Sequence, residues 1–300
     1  MDWSFSPWII SDKNLGRLQL AALFFLSVIL LVNFRILQDG FNLALTLHSF
    51  LIILAAVAVN LGYVFLKALV LFGAVKSQKI NYNFWQSLGL LLRADFINLT
   101  TFPGKLISDG YKFFALRSTN KSGSLAATII FRLALMLGGL WWLALAVGRA
   151  GSPGVVLVIL LVMVLAAVLG GEKYWRRYRL VLTRWRLVLI TLALSLVAAG
   201  SIGLLFFYFV LLGSLFGLNI SFGLFSIFIF VYVLSGLSNL PFGLGVMEIS
   251  YFIYLSPDLS LPAIITFLAL LRLTGPLLVA LVGWFLLSRR VARRWFKQSL

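Results

Sequence analysis

Residues 187–240 contain no Asp, Glu, Lys or Arg. About 20 mostly apolar residues suffice for one helix to cross the hydrocarbon core of a bilayer. This run is therefore long enough for two or three crossings, with Gly217 and Asn219 marking a turn inside it. Further apolar stretches lie at 18–37, 43–75, 124–147, 154–171 and 261–287. The chain is 62% hydrophobic and 11% charged, where an average soluble domain is about 25% charged. The expected fold is all-α: a polytopic membrane protein of about seven to eight transmembrane helices. Residues 1–300 read as a single integral membrane domain, with no room for a soluble catalytic one. The first apolar run follows a segment carrying both acids and bases and lacks a small-residue cleavage site, so it reads as a retained helix.

The few polar residues decide what else the chain can be. Cysteine is absent and His48 is the single histidine. That excludes disulfides, thiolate chemistry and Cys- or His-cluster metal sites, and no cofactor is expected. His48 reads as an interfacial or packed residue. The formal net charge of +17 does not point to nucleic acid. The bases gather in short segments beside apolar spans, as the positive-inside rule requires. The basic segments are 76–121, 172–186 and the tail after Ser288. Both termini are accordingly expected in the cytoplasm of a cell with this protein in its inner or plasma membrane. The same count leaves one problem open. If 187–240 crosses twice, the 261–287 span ends outside unless 241–258 also crosses.

Two local readings follow from periodicity. Within 76–96, Phe84, Trp85, Leu88, Leu91 and Leu92 fall near helical spacing with Lys79 and Arg93 among them, the pattern of an amphipathic interfacial helix. Asn60 and Lys67 share one helix face, and Lys67 is expected to snorkel toward the membrane surface.

A polar signature occurs twice. Its first copy is Asn98, Pro103, Gly104, Asp109 and Arg132; its second is Asn239, Pro241, Gly243, Gly245, Glu248 and Arg272. Acid and arginine are 23 residues apart in one copy and 24 in the other. Only eight acids occur in the chain, and a charge at a helix centre costs roughly 2.5–3.5 kcal/mol on insertion scales. Ionisable groups at that depth are candidate functional residues. The helix breakers predict two broken or re-entrant segments, which lipid tolerates only where protein or a watery cavity covers them. A broken helix turns unpaired N–H groups toward the membrane interior, where they suit an anion. An arginine adds permanent charge with bidentate phosphate geometry. Pairing of Asp109 with Arg132 and Glu248 with Arg272, or crosswise, would offset the cost of the acids. The competing reading is that such pairs serve only to fix helix register. Recurrence of the signature, in halves near 80–150 and 187–287, fits an inverted repeat.

The stretch Asn98-Leu-Thr-Thr-Phe-Pro-Gly-Lys-Leu-Ile-Ser-Asp109 with Arg132, and Ser238-Asn-Leu-Pro-Phe-Gly-Leu-Gly-Val-Met-Glu248 with Arg272, resemble the two motif regions of the lysylphosphatidylglycerol synthase transmembrane region, or flippase-like domain family. That family includes the N-terminal flippase part of the multiple peptide resistance factor. The resemblance covers roughly 80–300. Phe102 stands where the family usually has leucine, and Lys112 where it often has arginine. The resemblance implies a flippase-like lipid transporter without an aminoacyl-transferase domain. It would move a lipid with an anionic or glycosylated head group through a polar groove and would not be an enzyme. Expected partners are membrane lipids with anionic head groups, and oligomers are not excluded. The alternative is a non-transporting scaffold or lipid-binding partner of a membrane glycosyltransferase or lipid synthase. An intramembrane enzyme would need Asp109 and Glu248 within about 10 Å of each other, as paired carboxylates are.

Overall fold

A computed structural model of the chain describes residues 47–100, 104–116, 121–149, 184–221 and 259–286, with isolated positions (224, 225, 228, 251, 253 and 255) between the last two. The described residues are almost all helical and include no strand. The helices are α1 (Leu47–Ser77), α2 (Phe84–Thr100), α3 (Gly104–Leu116), α4 (Lys121–Arg149), α5 (Arg184–Ser214) and α6 (Leu261–Arg272). A π-helical turn, Leu273–Leu277, carries α6 onward as helix to Leu286. Among the described residues, four helices are long and apolar enough to cross a membrane: His48–Ser77, Ser122–Trp142, Arg186–Ser214 and Ala263–Leu286. The expected spans at 43–75, 124–147 and 261–287 are thus helical almost end to end. Those at 18–37 and 154–171, and the second signature at 239–258, lie outside the described residues.

Each helix end has a local cause. α1 closes with hydrogen bonds from Ile80 N to Val75 O (3.3 Å) and Lys79 N to Lys76 O (2.9 Å). This is a Schellman cap, normally closed by a left-handed glycine; here Lys79 takes the left-handed conformation, at φ 56°. α5 closes the same way, with Leu218 N bonding Gly213 O at 3.0 Å and Gly217 at φ 69°. The turn expected at Gly217 is therefore present. α2 opens on a reciprocal cap: Gln86 N donates to Asn83 Oδ1 (2.8 Å) and Asn83 N to Gln86 Oε1 (2.9 Å). It starts at Phe84 rather than in the 76–83 stretch because α1 and its cap occupy those residues.

Helix directions follow from close contacts. Gly62 and Gly73 of α1 face Leu204 and Leu194 of α5, so these two helices are antiparallel. Gly138 of α4 lies against Ala198 of α5, and Trp142 against Gly203, so α4 and α5 are parallel. Phe216, just after α5, meets Phe267 of α6 edge to face, while Tyr208 reaches Leu271. The last helix is therefore antiparallel to α5. Between lipid-facing helices there is little hydrophobic gain, and association rests on close backbone approach and interhelical hydrogen bonds. Both are seen here. A Cβ on Gly138 would lie 2.7 Å from Ala198 Cβ. Trp142 Nε1 donates to Ala199 O at 2.7 Å and Trp141 Nε1 to Ser195 Oγ at 3.1 Å.

These directions answer one part of the crossing question, the end at which the last helix finishes. α5 runs away from the basic end of the bundle, where Lys76, Lys79, Lys121 and Arg184 cluster, and the last helix returns to that end. The chain from 218 to 260 therefore begins and ends at the same, opposite end.

Candidate functional site

The first signature lies where two short helices fold back on each other. α2 ends at Thr100 and α3 begins at Gly104, so the expected break at Pro103-Gly104 falls between them; Pro103 itself lies outside the described residues. At 17 and 13 residues neither helix has the roughly 20 needed to span. Phe96 and Ile97 of α2 cluster with Ile107 and Tyr111 of α3 and with Ala280 and Trp284 of the last helix. α2 is therefore more enclosed than an interfacial helix. Trp85 at its start is 70% exposed, but Leu90, Leu91, Ala94 and Asp95 are buried.

Asp109 on α3 holds two cations. Its Oδ1 is 2.6 Å from Lys112 Nζ, one turn along the same helix. Its Oδ2 is 3.2 Å from Arg132 Nη1 on α4. The expected Asp109–Arg132 pair is present, with Lys112 as a second partner. Lys112 is buried and lies 5.0 Å from the centre of the Phe131 ring, a cation–π distance. Arg132 differs: its side chain is 40% exposed, against 7% for Lys112. One carboxylate between two cations leaves a net charge of about +1. The exposed Arg132 carries the part of it that can meet another group. Asn98, near the end of α2, has a buried Oδ1 with no hydrogen-bond donor among the described residues.

Arg272 of the second signature ends α6, half-buried, directly before the π turn. The signature's other members, Asn239, Pro241, Gly243, Gly245 and Glu248, lie outside the described residues. The polar groups around Arg272 come from other helices. Tyr208 Oη of α5 donates to Leu271 O at 2.8 Å and lies 2.9 Å from Thr274 Oγ1. Asn60 Nδ2 of α1 donates to Thr274 O at 3.2 Å. Thr274 Oγ1 also bonds Leu270 O at 2.7 Å. The chemistry explains why these groups gather here. Pro276 has no N–H and cannot bond a carbonyl in the preceding turn. In a π-helical turn the carbonyl opposite it is that of Leu271, five residues back. Tyr208 donates to that carbonyl instead. Side chains on neighbouring helices commonly repair a proline-broken helix in lipid this way.

Two features escaped the sequence reading. Lys67 does not snorkel. Its Nζ lies 3.0 and 3.2 Å from the Asp95 carboxylate of α2, and both side chains are nearly enclosed, at 13% and 10% exposure. Asp95 is one of only eight acids, which was the available signal. Tyr208 stands in the uncharged run 187–240, where its hydroxyl was a signal of the same kind. The shared face of Asn60 and Lys67 is real, but the two reach different partners: Asn60 the π turn and Lys67 the helix leading to the first signature.

The two arginines are not level. Thr274 is opposite Asn60, near the middle of α1, so Arg272 is at mid-span. Arg132 lies toward the basic end from Gly138, whose level on α5 is close to that of Leu194 and Gly73. At 1.5 Å per residue the offset along the bundle is roughly 20–25 Å. No family model, curated protein or solved structure matches the chain, so the resemblance rests on the two motifs themselves.

Proposed function

We propose that the chain is a flippase-like transporter that carries a lipid with an anionic or glycosylated head group across the bilayer while the acyl tails stay in lipid. The observation that carries this reading is the Asp109 cluster, in which one acid is shared between buried Lys112 and half-exposed Arg132 and so leaves charge to spare at the arginine. Arginine is the side chain best shaped for a phosphate. Arg272 is a second station at mid-depth, so a head group passes from one arginine toward the other along the bundle. Asp109 and Glu248 orient the arginines, and the transport involves no covalent step. In this reading the chain belongs with the flippase-like domain family, has about two re-entrant segments and both termini in the cytoplasm, and so crosses an even number of times, eight within the expected seven to eight. The parallel course of α4 and α5 supports a span at 154–171, because the chain must return between them.

The test is reconstitution of the full chain in vesicles with fluorescent phosphatidylglycerol or phosphatidylcholine. A charge-assisted hydrogen bond is worth about 1.5–3 kcal/mol, and 1.4 kcal/mol is tenfold. Arg132→Gln and Arg272→Gln should therefore each slow phosphatidylglycerol movement about tenfold or more in folded protein. Equal rates in wild type and both variants would sink the proposal. A wild-type chain that moves no lipid but co-purifies with a membrane glycosyltransferase or lipid synthase would favour the scaffold alternative.

A further inference from the structure

We infer that Tyr208, Asn60 and Thr274 are positioning residues that set the rotation of Arg272 by holding the π-helical turn open. The significance of Arg272 rests on the proposed head-group reading, but the clamp itself does not.

A π-helical turn holds one residue more than the α-helical path it replaces. If Leu273–Leu277 relaxed to α-helix, the segments on either side would rotate relative to each other by about 100° and shift about 1.5 Å. Arg272 is the last residue before the turn, so its direction relative to the rest of the span depends on which form is present. Relaxation would also bring the Pro276 ring against the carbonyl four residues back, which is that of Arg272.

The hydrogen bonds favour the open form. Leu271 O receives Tyr208 Oη from α5, and Thr274 O receives Asn60 Nδ2 from α1. Thr274 Oγ1 meets Tyr208 Oη and Leu270 O, joining the two sides. Space is also reserved. A Cβ on Gly275 would lie 2.9 Å from Tyr208 Oη, so any larger residue there displaces the hydroxyl. The same helix is fixed further along, where Gly283 is in direct contact with the backbone of Leu92. The turn thus sits between two anchored segments, and the clamp decides their relative rotation.

The chain has no cysteine, so paired spin labels can be placed without background. Leu196→Cys on α5 and Leu281→Cys beyond the turn are suitable, being 61% and 43% exposed. Distances between the labels would be measured by pulsed electron paramagnetic resonance in the full chain, in nanodiscs of phosphatidylglycerol and phosphatidylcholine. A 100° rotation moves a group about 5 Å from the helix axis by up to about 8 Å. Tyr208→Phe, Thr274→Val and Gly275→Ala should each shift or split the distance distribution on that scale, while Thr274→Ser, which keeps the hydroxyl, should match wild type. Unchanged distributions in Tyr208→Phe and Thr274→Val would overturn the inference. A shift in those variants, with a wild-type chain that moves no phosphatidylglycerol, would uphold the clamp and count against the transport reading alone.

Discussion

At the scale of single residues, buried charge is where a substitution tells most. Asp109 pairs with both Lys112, which is nearly enclosed, and Arg132, which is not. Removing the acid leaves a buried ammonium without its counter-charge, a change that typically costs 3–5 kcal/mol. Removing a partly exposed partner costs about 0.2–1 kcal/mol. Asp109→Asn should therefore lower the unfolding midpoint in detergent well beyond Arg132→Gln, by about 3 kcal/mol against about 1 or less. The reverse order would mean that the acid is not the hub of the cluster. Lys67 and Asp95 form a second case, both nearly enclosed. Each single change, Lys67→Met or Asp95→Leu, should cost several kcal/mol, while the double variant recovers much of the loss because no lone charge remains. Thermal unfolding of the four proteins gives the coupling, and additive losses would show that the pair does not act as a unit. The sequence made the Asp109 pairing legible, because an acid beside apolar spans demands a cation and Arg132 was the intramembrane one. It did not make Asp95 legible in the same way. A lysine such as Lys67 can reach the membrane surface alone, so nothing in the sequence obliged it to meet Asp95, and only packing brings the two together.

At the scale of helices, ends and crossings carry the information. The spans near 43–75, 124–147 and 261–287 could be read directly, since continuous apolar runs between basic flanks have few other solutions in lipid. Their ends could not. Lys79 closes α1 in a left-handed conformation that costs a non-glycine residue roughly 1–2 kcal/mol. Lys79→Gly should accordingly raise stability by about 1 kcal/mol, as read from the unfolding midpoint. Loss of stability would mean that the lysine side chain contributes more than its backbone costs. Crossings give a sharper contrast. A methyl group at Gly138 would meet the Ala198 Cβ and the backbone of Ala198 and Ala199 at 2.7–2.9 Å, whereas at Gly110 it would meet nothing within 4 Å. Gly138→Ala should cost about 1–3 kcal/mol by overpacking. Gly110→Ala should be neutral or gain up to about 1 kcal/mol of helix propensity. Equal effects at the two sites would remove close approach as the reason for glycine at 138. The π turn shows the remaining gap between sequence and fold. Pro276 announces an interrupted helix, but the hydroxyl that repairs it belongs to Tyr208, 63 residues from its Leu271 acceptor.

At the scale of the molecule, charge and direction agree. α1 and the last helix run toward the basic end, and α4 and α5 run away from it. The lysines and arginines at that end, Lys76, Lys79, Lys121 and Arg184 among them, are the class of residue retained on the cytoplasmic side. The opposite end exposes His48, Asn219 and Ser260, and among the described residues its one base is Arg149, at the end of α4. Helix directions fix which of these positions share a side, and the positive-inside rule predicts which side that is. In the cysteine-free chain, His48→Cys, Asn219→Cys and Ser260→Cys should react with a membrane-impermeant maleimide added to intact cells. Lys79→Cys should react only after the cells are opened. Modification of Asn219→Cys and Lys79→Cys from the same side would contradict the antiparallel course of α1 and α5. Modification of all four in the inverted sense would leave the bundle intact and reverse its orientation. Arg132 would then face the outer leaflet, and a head group collected from the inner one would reach Arg272 first.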